Sequence, residues 1–186
     1  KNVKDLQALL IEMEPTGGIG FFGAGVGTDA KNSNVNVINL GPGGVGLPDR
    51  DYYVSDEKDS KEKREKYVLH VAKMLQYLGD KPEQAKANAE KILALEIEMS
   101  KPRFDRVERR DRRKSYNPMT VAEIQKLTPS IDWTTYFTKI GLPTNQTIIV
   151  SQPKYMTALE TLFKENKVDD WKAYMRWSLL NRAASQ

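Results

Sequence analysis

The sequence predicts a mainly α-helical domain with one small β-hairpin element. Three observations predict it. Apolar residues recur at helical spacing over long stretches, and in the clearest of them Tyr67, Val68, Val71, Met74, Leu75 and Leu78 form one continuous stripe. Helix stop and start signals punctuate those stretches, as Gly79 and Pro129 do after them and Thr120 with Glu123 before them. The β-prone residues are concentrated between about 20 and 40, where two runs flank the polar turn Asp29-Ala-Lys-Asn-Ser33. With 186 residues, 39% hydrophobic and 29% charged, the chain can bury a substantial core.

Taken in order, Val3, Leu6, Leu9, Leu10 and Met13 mark a first helix, which Pro15-Thr-Gly-Gly18 ends. The hairpin region follows at about 20–40. Helices are predicted at 61–78 and 82–99, and the short connection between them makes a helical hairpin. A further helix covers 120–128, because Thr120 and Glu123 can cap each other's backbone N–H groups. Asp132 caps a short helix at 132–140, carrying Trp133, Tyr136 and Phe137. Residues 147–151 read as a brief strand, and 153–166 and 169–184 as the last two helices. No apolar stretch approaches the ~20 residues of a membrane-spanning helix. The chain opens at Lys1 already in helical rhythm, so it reads as a piece of something longer.

Several chemistries are poorly supplied. The chain has one histidine and no cysteine, so neither a disulfide framework nor a hydrolytic zinc site can be assembled from its donors. His70 falls one residue off the apolar stripe of its helix and reads as a partly buried, hydrogen-bonded side chain. Gly18-Ile-Gly-Phe-Phe-Gly23 matches a dinucleotide-binding pattern by letter, but a helix precedes it and β-prone sequence follows, the reverse of what that motif needs. Residues 103–114 hold seven basic and three acidic side chains, a surplus equal to the whole net charge of +4. That run could grip phosphates. It reads better as a loop whose arginines pair with Asp105, Glu108 and Asp111, and nucleic acid is not expected as a partner.

The run Gly46-Leu-Pro-Asp-Arg-Asp-Tyr-Tyr53 is the most specific segment. Pro48 fixes its own φ and disfavours the helical region for Leu47, while Asp49 and Asp51 can accept bonds from backbone just ahead of them. The wording resembles the neprilysin and endothelin-converting-enzyme family of zinc metallopeptidases, in Leu47, Pro48, Arg50, Asp51, Tyr52 and Tyr53. The likeness continues in Asp29, Lys31, Asn32 and Ser33, and again in Arg110, Asp111, Tyr116, Asn117, Met119 and Thr120. The run Val150-Ser-Gln-Pro-Lys-Tyr155 and the Trp177 helix also look like family positions.

What the resemblance implies is a part of the helical N-terminal lobe, a lid-type domain that encloses the active site. The catalytic glutamate and the zinc ligands of such an enzyme would lie in a C-terminal half, so none of the residues here is carried over as catalytic or metal-binding. The matched motif residues are expected to be structural, with Arg50 and Tyr52 holding their corner together. Substrate-contacting residues are not identified. Zinc would be the parent protein's cofactor, its catalytic half the partner, oligopeptides the substrates, and the periplasm or cell surface the location. A cysteine-free version points to a bacterial relative. The alternative is a stand-alone helical binding module, for a peptide or, through residues 103–114, a nucleic acid. As a piece of a larger protein, the chain is also expected to expose apolar surface that the parent buries.

Overall fold

The computed structural model of the chain describes residues 3–14 and 18–183. In chain order the elements are α1 (Val3–Met13), β1 (Phe22–Asp29), β2 (Asn32–Pro42), α2 (Asp51–Val54), α3 (Lys58–Tyr77) and α4 (Pro82–Ser100). There follow β3 (Asn117–Met119), α5 (Val121–Leu127), α6 (Trp133–Lys139), β4 (Ile148–Val150), α7 (Pro153–Glu165) and α8 (Val168–Ala183). The fold is thus mainly α with one small sheet. Two compact units share the chain, one built from Lys1–Gly44 and Arg103–Glu165, the other from Val45–Pro102 and Asn166–Gln186.

The first unit holds the sheet, whose strand order is β1-β2-β4-β3. β1 and β2 form the antiparallel hairpin, with Ala24 opposite Leu40. β4 lies parallel to β2, Ile38 opposite Ile148, and antiparallel to β3, Asn117 opposite Val150. Ile148, Ile149 and Val150 are all buried, as an interior strand requires. Pro118 lacks an N–H and accordingly sits in an edge strand. Around the sheet Phe22, Trp133, Tyr136 and Phe137 cluster with ring centroids 4.9–5.9 Å apart. Both predicted caps form here: Glu123 N–H donates to Thr120 Oγ1 at 3.2 Å while Thr120 N–H donates to Glu123 Oε2 at 2.8 Å, and Thr135 N–H donates to Asp132 Oδ1 at 2.9 Å.

The second unit is helical. α3 and α4 pack along one another, with Tyr67, Val71 and Leu75 buried on one and Ala85, Ala89, Ile92, Leu95 and Met99 on the other. Gly79, at φ +93°, stops α3 in a left-handed turn; its N–H donates to the Gln76 carbonyl and that of Asp80 to the Leu75 carbonyl. α8 covers this pair with Trp171, Tyr174 and Trp177. Three readings of α3 are corrected. The helix begins at Lys58, Leu78 at the end of the stripe is 47% exposed, and His70 is exposed, its ring edge-on to that of Trp177 at 5.8 Å. The stripe fails at its end because the helix has already stopped at Tyr77. No described helix is long and apolar enough to cross a membrane.

Candidate functional site

The Gly-Leu-Pro corner is organised by a residue outside it. Glu96, on α4, is 1% exposed. Its Oε1 accepts the N–H of Gly46 at 3.1 Å and its Oε2 accepts the hydroxyl of Tyr53 at 2.8 Å. The Tyr53 oxygen in turn accepts the N–H of Leu47 at 2.6 Å. Burial first, then the Glu96 charge, pushes the Tyr53 phenol far above its ordinary pKa, so it acts as a donor at any ordinary pH. Tyr67 is shifted upward for the same two reasons, and its oxygen accepts the indole N–H of Trp177 at 2.7 Å. Gly46 has to be glycine, because the Tyr67 hydroxyl occupies the place a Cβ would take.

Local bonds shape the rest of the corner. Asp51 N–H donates to Asp49 Oδ1 at 3.1 Å, and the backbone then closes the single turn of α2. The carbonyls left over at its end are gathered by one side chain: Arg64 Nη1 donates to Tyr52, Ser55 and Tyr53 oxygens at 2.6, 2.9 and 3.3 Å. Arg50 reaches Asp51 Oδ1 at 3.3 Å and the Lys101 carbonyl at 3.4 Å, both long. Tyr52 is half-buried under the Lys63 ammonium, 4.2 Å from its ring centroid. The corner's buried centre is therefore Tyr53 with Glu96, not Arg50 with Tyr52. A glutamate on the apolar stripe of α4, four residues after Ile92, is the signal that could have found it.

The second motif belongs to the other unit. Tyr116 donates to Asp29 Oδ2 at 3.3 Å, and Lys31 Nζ stands 4.2 Å from the Tyr116 ring centroid, so two motif elements meet at the hairpin turn. Asn117 Nδ2 donates to the carbonyls of Lys114 and Val150 at 2.8 and 2.9 Å, pinning β3 to β4. Asp111 Oδ1 accepts from Arg113, whose Nε is 3.2 Å away. Arg110 is exposed at the end of a 3₁₀ turn, Glu108–Arg110; Met119 ends β3 and Thr120 caps α5.

None of these residues makes a zinc site. Among the described residues no group of three or more His, Cys, Asp or Glu side chains could hold a metal ion, and the sole imidazole lies against Trp177. A groove of about 470 Å³ in the first unit is lined by Lys4, Ile11, Glu12, Ser130, Asp132 and Lys139. Its Ser130 hydroxyl donates to Glu160, a carboxylate also bonded to Ser130 N–H and paired with Lys164.

The sequence model of peptidase family M13 matches residues 1–186. Endothelin-converting enzyme 1 of Homo sapiens is 31% identical over 170 residues, which cover 89% of this chain and 22% of that protein. Neprilysin-3 of Drosophila melanogaster is 25% identical over 175 residues, 88% of this chain and 22% of its own. Among solved structures, the open state of the Mycobacterium tuberculosis zinc metalloprotease ZMP1 matches with a TM-score of 0.86 at 30% identity, over 96% of this chain and 28% of that one. PEPO of Lactobacillus rhamnosis shares the fold, with a TM-score of 0.82 at 16% identity, over 100% of this chain and 29% of that one. The chain thus spans 22% of the length of the curated relatives it matches.

Proposed function

The chain belongs to peptidase family M13, and from that membership we propose that it is the non-catalytic, substrate-enclosing part of a zinc metalloendopeptidase that cleaves oligopeptides. The observation that carries this reading is the pairing of an end-to-end family match with a donor set of one histidine and no cysteine. Zinc would supply the activated water of the whole enzyme. The residues present here do not fit that ion, and no step through it is assigned to them.

A lid acts by sterics. It admits flexible peptides, rejects folded proteins and keeps bulk water from the reacting groups. Such a role asks for stiffness, and the buried Tyr53–Glu96 corner and the aromatic cluster around Trp133 supply it within their respective units. The partner in this reading is the catalytic half of the same polypeptide, and the setting is extracytoplasmic, in the periplasm or at the cell surface. The matched motif residues then serve structure, not chemistry.

The test is complementation. The remainder of the parental polypeptide, expressed separately and loaded with zinc, is assayed on a short peptide and on a folded protein with and without this chain. Peptide cleavage that needs both pieces, and discrimination against the folded substrate that needs this one, is the expected result. Chelator-sensitive hydrolysis by the pure chain alone would overturn the reading. So would a remainder whose rate and size selectivity this chain leaves unchanged.

A further inference from the structure

The basic segment 103–114 lies outside the corner, only its motif residues Arg110 and Asp111 enter the reading above, and its architecture is specific. Its three carboxylates are occupied locally. Asp105 Oδ1 accepts the N–H groups of Val107 and Glu108 at 2.8 and 2.7 Å. Glu108 accepts the N–H of Asp105 at 3.3 Å and pairs with Lys114 at 3.1 Å. Asp111 accepts the N–H of Arg113 at 3.0 Å and pairs with its guanidinium at 3.2 Å. The acids thus fold the loop on itself while six of its seven cations stay exposed. Arg103 is the exception among the cations, since it turns inward to the Gly43 carbonyl at 2.7 Å and lies over the Tyr155 ring at 4.9 Å.

Arg110 and Arg112 are exposed, and so are Arg106, Arg109, Arg113 and Lys114. In the midst of them Val107 is 77% exposed, the most exposed of the large hydrophobic side chains. Cations around a projecting apolar side chain complement a surface that is anionic at its headgroups and apolar just beneath. A nucleic acid would instead want flat rings for its bases. Here the Tyr116 ring is covered by the Lys31 ammonium, and Phe104 is half-buried, its N–H bonded to Gln152 Oε1 at 2.7 Å.

We infer that this loop is a peripheral docking surface for an anionic phospholipid bilayer, with Arg110 and Arg112 at the headgroups and Val107 entering the interface. The contact is mainly electrostatic, since exposed cations surround a single apolar side chain. It stands independently of any lid role.

The test sediments the intact chain with vesicles of phosphatidylcholine alone and of phosphatidylcholine mixed equally with phosphatidylglycerol. Binding to the anionic vesicles only, weakening as salt is raised, is expected. Arg110→Gln with Arg112→Gln should lower that binding about 25-fold, at about fivefold for each charge removed. Val107→Gln should lower it less and leave the salt dependence unchanged. Circular dichroism certifies that each variant is folded, and all three sites are exposed. Binding to neutral vesicles equal to that on anionic ones, no binding to either, or an undiminished double variant would overturn the inference. So would tighter retention on single-stranded RNA or on a polyglutamate peptide than on the anionic vesicles.

Discussion

The Tyr67 hydroxyl stands where a Cβ on residue 46 would have to be. One residue of the corner is thereby fixed by a side chain from a helix that begins twelve positions later. The oxygen cannot drift away, because it accepts the Trp177 indole N–H at 2.7 Å inside the packed helices. Gly46→Ala should therefore destabilise by about 1–3 kcal/mol, the usual penalty of overpacking. Urea midpoints measure it. Removing the hydroxyl with Tyr67→Phe should not rescue the alanine, since the ring carbon Cζ would itself lie 2.5 Å from the added methyl.

Glu96 is the second test of the corner. Replacing it with alanine leaves the part-buried Gly46 N–H and the buried Tyr53 hydroxyl without their acceptor, at about 1–3 kcal/mol for the hydroxyl and less for the N–H. Equilibrium unfolding gives the number, and the loosened 46–53 segment should show faster amide exchange at Gly46 and Leu47. Unchanged exchange there would mean that the carboxylate does not hold the corner.

Five of the chain's eight tyrosines are buried, Tyr53, Tyr67, Tyr136, Tyr155 and Tyr174, and the phenols of four of them are shifted upward. Burial is the largest cause in raising the phenols of Tyr53, Tyr67, Tyr136 and Tyr155 above their ordinary 10.0. In the unfolded chain they ionise near that value; in the folded chain they do not. Their stabilisation is complete below about pH 10 and is lost as pH rises above it, because the unfolded state then gains by losing protons. Ultraviolet titration should show these four phenolates appearing together with the unfolding transition. Smooth titration of all eight in a still-folded protein would contradict the burial.

How far this was legible depends on sequence distance. The stop at Gly79 and the Thr120–Glu123 cap were readable because their partners lie within five residues. The sheet was not. The β-branched run Ile148–Val150 announced a strand, but nothing local says that it lies parallel to β2, which ends more than a hundred residues earlier, and Pro118 disguised β3. The motif residues of the candidate site, Tyr53 among them, stood out in the sequence while Glu96 did not. Glu96 bonds Gly46 across 50 residues, and a lone glutamate on a helix reads as solvated unless its place on the apolar stripe is weighed. Arg64 was hidden in a charged run for the same reason, its three carbonyl partners being set by the turn of α2.

Asp80, in the turn after α3, joins that turn to α8 through Arg176, with Nη2 to Oδ1 at 2.8 Å. The Arg176 hydrogen bond, followed by that of Asn88, holds its carboxyl below the ordinary 3.8 despite the opposing effect of burial. A lowered folded pKa means that the stabilisation is present above the unfolded value and disappears as pH falls through the folded one. Arg176 is 42% exposed, so water screens the pair and Asp80→Asn should lose about 1–2 kcal/mol at neutral pH. The difference between the two proteins should close as pH falls from about 3.8 through the lower folded value, below which both carry a neutral group at position 80. Thermal melts from neutral to acid pH measure it. A gap between parent and variant that stays constant down that range would show that the carboxylate charge is not what ties the turn to α8.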